Sequence, residues 1–245
     1  MKVFIKVSLF LLFIFSTLNA QSAQDIIDKV DKNMRGKNVY MKMSMSITSL
    51  GHKRVMKIQT WAEGSKKSFV KTLYPPKDKG ITFLSLDNQM WQYVPKIERI
   101  IKIPPSMMLQ NWMGSDITND DMVKQSSIVD DYTPKIIKEN GKLVTIELTP
   151  KEDAAVVWGK IISLIDTTHY TNLKDIFYDE DGDEVRTFTY SKVKKVGEYY
   201  TPTYWKIEPS DKKNSFTEIV IEEVKYDIKI SSQYFKKSAL KRFSR

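Results

Sequence analysis

Histidine, the side chain most often used for proton transfer at neutral pH, is scarce in this chain. Its two histidines, His52 and His169, lie far apart in the sequence and without a neighbouring carboxylate signature. Two isolated histidines are a weak basis for a metal centre or for general acid–base catalysis. The sequence therefore predicts ordinary loop roles for both.

Three carboxylates, Asp116, Asp120 and Asp121, lie close together and could act as a general acid and base. Asp120 and Asp121 also occupy the first turn of a predicted helix that begins near Thr118. Carboxylates at that position interact with the free amide groups and the dipole of the helix. The structural role is therefore favoured, and an envelope hydrolase that uses Asp116 or Asp120 is the weaker alternative.

The acidic run Asp179–Glu184 resembles a calcium loop only superficially, because an EF-hand loop spans twelve positions between two helices. Both flanks of the run have strand-like sequences, and Asp181-Gly182 predicts a β-hairpin turn. Nucleophile elbows, phosphate loops and dinucleotide fingerprints are absent from the sequence, and there is no cysteine to form a disulfide or a thiolate site. The sequence thus predicts no enzyme, no catalytic residue, no metal and no cofactor.

Residues 1–20 predict a cleavable signal peptide. Lys2 and Lys6 precede an apolar run from Val7 to Phe15, and Ala20 is the small residue before a cut at Gln21. The run is short for a membrane span. An exported, periplasmic protein is expected, without the cysteine that would carry a lipid anchor.

The net charge of the chain is basic, +9 in total and +7 after Lys2 and Lys6 are subtracted. The basic residues are dispersed, so a nucleic-acid partner is not expected. Attraction to anionic head groups or acidic partners and a merely solvated basic surface both remain open. A monomer is expected.

The elements predicted from periodicity are one helix followed mostly by strands. Ile26, Ile27, Val30 and Met34 have helical spacing, and Gly36 ends that helix. Residues 39–48 then alternate apolar and polar side chains, and many short strands follow. The sequence predicts one domain, residues 21–245, that is mainly β with helices (α+β).

The segment Trp91–Val123 interrupts this pattern with prolines, tryptophans and methionines. Pro104-Pro105 predicts the start of a Met-rich turn of helix that Gly114 ends. Nine of the eleven methionines lie between Met41 and Met122. Because methionine is flexible and suits variable apolar partners, a cleft for acyl chains is predicted. The predicted lining residues are Met43, Met45, Met56, Trp91, Tyr93, Met107, Met108, Trp112 and Met113, with Arg99 as a gate or head-group contact.

A succession of motifs between residues 73 and 123 is distinctive. The motifs are Leu73-Tyr-Pro-Pro-Lys-Asp-Lys-Gly80-Ile-Thr-Phe-Leu84, Met90-Trp-Gln-Tyr-Val-Pro95, Arg99–Pro104, Ser106-Met-Met and Trp112-Met-Gly-Ser-Asp116-Ile-Thr-Asn-Asp-Asp-Met-Val123. Through them the chain resembles outer-membrane lipoprotein-sorting proteins related to the LolA and LolB carriers. The resemblance implies an unclosed, strongly curved antiparallel half-barrel whose open, concave side is covered by helices.

The resemblance further implies a periplasmic carrier that holds the acyl chains of lipoproteins or lipids in an apolar cavity and shuttles them toward the outer membrane. An inner-membrane exporter would load it and an outer-membrane acceptor would unload it. The elaborate Trp112–Asp116 segment departs from the best-studied carriers, so the cargo need not be a lipoprotein. The alternative is a lipid-sensing or regulatory protein of the same fold that acts through a membrane protein.

Overall fold

The structure is a computed structural model that describes residues 21–124, 128–154 and 156–245. The signal peptide predicted for residues 1–20 lies outside these ranges. Within them, no helix combines the length and apolarity needed to cross a membrane.

The described residues form one antiparallel sheet of 13 strands. The strands are β1 (Asn38–Ser49), β2 (His52–Glu63), β3 (Lys67–Tyr74), β4 (Thr82–Leu86), β5 (Gln89–Val94), β6 (Arg99–Ile103), β7 (Tyr132–Asn140), β8 (Leu143–Pro150), β9 (Lys160–Asp166), β10 (Thr171–Tyr178), β11 (Glu184–Val196), β12 (Tyr199–Pro209) and β13 (Phe216–Tyr226). Their spatial order is 6-5-4-3-2-1-13-12-11-10-9-8-7. The sheet is curved but not closed, with β6 and β7 at its two edges, which confirms the predicted half-barrel.

The centre of the sheet follows directly from the alternation in β1. Met41, Met43 and Met45 are buried while the residues between them are half-exposed. Leu50 and Gly51 both have positive φ, 49° and 79°, which matches the tight turn that best joins two twisted antiparallel strands. On its other side β1 pairs with β13, so the two halves of the sheet meet there.

The first helix, α1 (Ala23–Arg35), begins with a capping box between Ser22 and Asp25 and ends at Gly36, whose φ is 56°. It buries Ile26, Ile27 and Val30 and contacts β7, β10 and β12. The predicted helix and its stop are confirmed. The remaining helices are α2 (Asn119–Lys124), α3 (Ile128–Asp131) and α4 (Lys237–Arg242).

The predicted Met-rich helical turn between Pro104 and Gly114 is not continuous. Two separate 3-10 turns, Pro105–Met107 and Trp112–Gly114, replace it. Met113 has a φ of 52°, and an isolated bridge joins Asn111 to Thr118, so the chain turns back on itself before α2 begins. Backbone reversal therefore prevents the methionines from sharing one helical face.

Strands β3 to β5 are covered on both faces. The inner face, which carries Val70, Phe83 and Met90, belongs to the main core together with α1 and Trp112. The outer face has a separate cluster with α4, formed by Phe69, Leu84, Trp91, Tyr93, Ala239 and Leu240. The Thr82 hydroxyl donates a 2.7 Å hydrogen bond to the Leu240 carbonyl and ties α4 to this face.

Candidate functional site

An apolar cavity of about 270 Å³ lies between the inner face of the sheet and the helices α1, α2 and α3. Both halves of the sheet contribute to its wall. Its apolar lining comprises Ile27, Val30, Met34, Val39, Met41, Met43, Met45, Ala62, Val70, Ile117, Met122, Val123, Ile128, Val129, Leu148, Val156, Val157, Trp158, Ile161, Phe177, Phe188, Trp205 and Ile219. Such a lining excludes water and suits an apolar ligand.

One end of the cavity is polar. Asp31 and Arg35, from the last turns of α1, line the cavity together with Lys66 and Lys67 of the β2–β3 turn. The Gly64 amide of that turn donates a 3.1 Å hydrogen bond to the Lys37 carbonyl just after α1, which brings the two together. Asp31 and Arg35 form an ion pair, but burial is the dominant influence and raises the pKa of Asp31. Lys66 and Lys67 are exposed, so the cavity reaches the surface here. We call this end the mouth.

A buried ion pair fixes α2 to the wall of the cavity. Arg186 of β11 donates two hydrogen bonds to the Asp121 carboxylate, Nη1 to Oδ2 at 2.6 Å and Nη2 to Oδ1 at 2.5 Å. The guanidinium carbon also lies 4.3 Å from the ring centre of Trp158 and 4.6 Å from that of Phe177. A bidentate pair held against aromatic faces gives α2 one defined position over the sheet.

The clustered carboxylates have structural partners. Asp121 accepts hydrogen bonds from the Thr118 amide and hydroxyl, while its own amide donates to the Thr118 hydroxyl, which completes a capping box. Asp116 accepts a 2.6 Å hydrogen bond from the Thr217 hydroxyl of β13. The favoured capping role is therefore confirmed for Asp121, and Asp116 ties the same segment to β13.

Asp175 is a buried carboxyl in the cavity wall, with only 3% of its surface exposed. Its Oδ2 accepts hydrogen bonds from the side-chain Nδ2 of Asn172 at 2.7 Å and from the Tyr190 hydroxyl at 2.8 Å. Burial nonetheless raises the pKa of Asp175, against the opposing effect of its partners Ser163, Tyr190 and Asn172. The carboxyl is thus held in a site that favours its neutral form.

Replacing Asp175 with Asn should change how stability depends on pH. The pKa of Asp175 is higher in the folded protein than its ordinary value of 3.8, which applies to the unfolded chain. The contribution of Asp175 to the stability of the fold is therefore complete below about pH 3.8 and is lost as the pH rises through the folded-state pKa. Asp175→Asn removes this loss while keeping an oxygen for both donors. Urea unfolding from pH 4 to 8 should show a smaller decline in the variant. An unchanged decline would mean that Asp175 is charged at little cost.

Only some of the residues predicted to line the cavity do so in the structure. Met43 and Met45 line the cavity, and Met56 pairs across the strand with Met45 in the same core. Trp112 is fully buried against Phe83, with ring centres 5.2 Å apart. Met108 and Met113 are half-buried against this core. Met108, Trp112 and Met113 support residues 104–118, which we call the covering segment, rather than forming the cavity wall.

Trp91 and Tyr93 lie outside the cavity, on the outer face beneath α4. The alternation of β5 explains this, because Met90 occupies the inner face and its neighbour Trp91 must point the other way. Met107 is exposed in the 3-10 turn that follows β6, and Arg99 is exposed on the edge strand β6 itself. The structure therefore gives Arg99 no position at the mouth.

A Trp91→Phe variant should leave the affinity for an acyl probe within about two-fold of that of the unmodified protein. The Trp91 side chain faces α4 rather than the cavity, and phenylalanine keeps most of its apolar volume. Displacement of a fluorescent fatty acid measures this. A large loss of affinity would instead link the outer face to the cavity.

The lining residues predicted from the sequence did not include those from strands β8 to β13 or from helix α1. Phe188 in β11 and Trp205 in β12 lie between more polar neighbours, and this alternation was the available signal. Phe177 in β10 is flanked by Ile176 and Tyr178 and lacked it. Arg186 gave no such signal, because an arginine within an exposed-looking strand reads as a surface residue.

The two histidines and the acidic run Asp179–Glu184 occupy turns and strand ends. His169 lies between β9 and β10, where its Nδ1 is 3.1 Å from Asp166 Oδ2. His52 begins β2 after the tight turn. The Asp179 Oδ1 accepts hydrogen bonds from the backbone amides of Asp181 and Asp183, and these bonds stabilise the predicted hairpin turn. Within the described ranges, no three histidine or acidic side chains are grouped as metal ligands.

The open antiparallel sheet and its helix-covered inner face define the LolA-like fold. A DUF1329 family protein from Desulfovibrio piger is 22% identical, with a TM-score of 0.82 over 89% of this chain and 97% of that one. A putative outer membrane lipoprotein-sorting protein domain from Vibrio parahaemolyticus is 19% identical, with a TM-score of 0.79 over 90% and 98% of the two chains. A LolA superfamily protein from Nitrosomonas europaea is 18% identical, with a TM-score of 0.76 over 90% and 100%. At the level of the fold, these structures confirm the resemblance seen in the sequence.

A family model described as “-like: Uncharacterized protein” matches residues 64–242, and the chain belongs to that family. No curated protein matched the sequence.

Proposed function

We propose that this protein is a periplasmic carrier that binds the acyl chains of lipoproteins or lipids and shuttles them toward the outer membrane. The observation that carries the proposal is the apolar cavity between the sheet and the helices α1 to α3. The similar fold of a lipoprotein-sorting domain and of a LolA superfamily protein agrees with this role.

The physical basis is burial of hydrocarbon. Each methylene removed from water contributes about 0.8 kcal/mol. The cavity of about 270 Å³ is slightly smaller than the roughly 300–1,000 Å³ typical of small-molecule sites. Part of one acyl chain fits without rearrangement, and a larger cargo requires α2 and α3 to move away from the sheet.

The mouth gives the cargo an orientation. Acyl chains lie against the methionines of β1, while the polar head group stays beside Arg35 and Lys66, where the cavity reaches solvent. Basic side chains there complement an anionic head group. Loading by an inner-membrane exporter and delivery to an outer-membrane acceptor complete the proposed cycle.

Lipid identification on protein purified from its native compartment tests the proposal. We expect co-purified acyl lipid by mass spectrometry and displacement of a fluorescent fatty acid by the extracted lipid. A protein that is free of lipid and fails to bind the probe contradicts a carrier role.

A vesicle assay then separates the carrier from the alternatives. A carrier moves labelled lipid from donor to acceptor vesicles, whereas a sensor binds lipid without net transfer and forms a stable complex with a membrane protein. Release of free fatty acid that stops in Asp116→Asn would instead identify a hydrolase.

A further inference from the structure

The edge of the sheet at β6 exposes an unusual concentration of apolar side chains. The exposed fractions are 56% for Ile97, 44% for Ile100, 40% for Ile101 and 58% for Leu109. Ile100 and Ile101 are consecutive in the strand and so project from opposite faces of the sheet. Ile97 and Leu109 lie in the segments before and after it. We call the segment 96–109 the edge patch.

The two edges of the sheet differ in how they are protected. At β7 the strand carries Pro134, Lys135 and Lys138, and its register shifts between Ile136 and Lys138. Proline, lysine and irregular register are the usual means of preventing unwanted contact at an edge. Strand β6 also carries charged residues, Arg99 and Lys102, but it has no proline, pairs with β5 in regular register and places the exposed Ile100 and Ile101 between those charges.

The surroundings of the edge patch are basic. The ammonium groups of Lys102 from β6 and Lys237 from α4 lie 5.8 Å and 4.6 Å from the ring centre of Trp91, which brings the two elements together on the outer face. Residues 228–245 contain no acidic side chain, and Glu98 is the single acidic residue in 89–110.

We propose that the edge patch and α4 together form a docking surface for an anionic lipid bilayer. Surfaces that bind membranes combine exposed isoleucine or leucine with lysine. The apolar side chains enter the membrane interface, and the lysines contact the lipid phosphates. A partner strand added to β6 is less well matched, because it would leave Ile97 and Leu109 uncovered in the flanking segments. The proposal does not depend on what the cavity holds.

Flotation of the full chain with vesicles tests this surface. We expect binding to phosphatidylcholine vesicles that contain 30% phosphatidylglycerol, and little binding to pure phosphatidylcholine. Each lysine near an anionic surface contributes about five-fold to partitioning, so Lys102→Gln with Lys237→Gln should weaken binding about 25-fold. Ile97→Ser with Leu109→Ser should weaken it about ten-fold or more, because two apolar side chains no longer enter the bilayer interface. Salt at 0.5 M should mimic the lysine variant.

Matched controls lie elsewhere on the chain. Leu50→Ser with Ile137→Ser removes apolar side chains that are 86% and 48% exposed, and Lys135→Gln with Lys138→Gln removes two charges at β7. Both should bind vesicles normally, and every variant should retain fatty-acid probe binding in the cavity.

Three results would overturn the proposal. The first is no flotation with anionic vesicles at low salt. The second is equal losses in the control and patch variants, which would indicate non-specific attraction. The third is a dimer, measured by light scattering, that Ile97→Ser with Leu109→Ser dissociates without vesicle binding, which would make the surface an interface between copies.

Discussion

Arg186→Met should lower the free energy of unfolding by about 3–5 kcal/mol, because it leaves the Asp121 carboxylate buried without its partner. The side chains of Arg186 and Asp121 are only 4% and 13% exposed, so water cannot replace the lost hydrogen bonds. Methionine conserves most of the apolar contact with the surrounding aromatic rings. Urea unfolding measures the change, and intact β-sheet circular dichroism in the absence of urea shows that the variant folds.

An exposed ion pair provides the control for this prediction. Lys225 and Glu223 are 2.6 Å apart but are 57% and 41% exposed. Lys225→Met should therefore cost no more than about 1 kcal/mol. If Arg186→Met is equally mild, the buried pair does not hold α2 in place. Combining Arg186→Met with Asp121→Asn should recover part of the loss, because the uncompensated charge is then removed as well.

The parts of the fold that could be predicted from sequence are those specified by neighbouring residues. The alternation of Met41, Met43 and Met45 gives the strand and its buried face, and Gly36 gives the end of α1. Asp181-Gly182 gives a hairpin turn through its local preference alone. In each case, a few adjacent residues contain enough information.

The cavity was predicted only in part because its wall depends on distant pairings. Asp121 and Arg186 are 65 positions apart, and no local pattern relates them. Trp91 and Met90 are equally apolar, so alternation places them on opposite faces without showing which face is inside. The outer position of Trp91 follows from the packing of α4, whose Ala239 and Leu240 are buried against the same sheet.

The covering segment shows the same limit in its backbone. The prolines and methionines of 104–113 agree with a short helix, but the positive φ of Met113 and the bridge from Asn111 to Thr118 turn the chain instead. Met107 consequently becomes exposed, while Trp112 fills the core beside Phe83. A cluster of one residue type thus predicted an apolar region but not the direction of each side chain.

Met43→Trp should weaken acyl-probe binding about 15-fold, the largest effect on cavity binding that we expect. The side chain lines the cavity from the centre of β1, and the larger ring fills space that acyl carbon would occupy. Excluding two methylenes costs about 1.6 kcal/mol of binding, which corresponds to this change in affinity. Titration with a fluorescent fatty acid measures it, and a melting temperature near that of the unmodified protein shows that the loss arises from occupied space.

Val220→Trp is the matched control, because Val220 is 44% exposed on the neighbouring strand β13 and lies outside the cavity. It should bind the probe with unchanged affinity. Equal weakening by both tryptophans would mean that the probe binds the protein surface. Full affinity in Met43→Trp would show that acyl chains enter elsewhere, since a bulky ring beside Met45 and Met41 leaves the cavity too small for the same length of hydrocarbon.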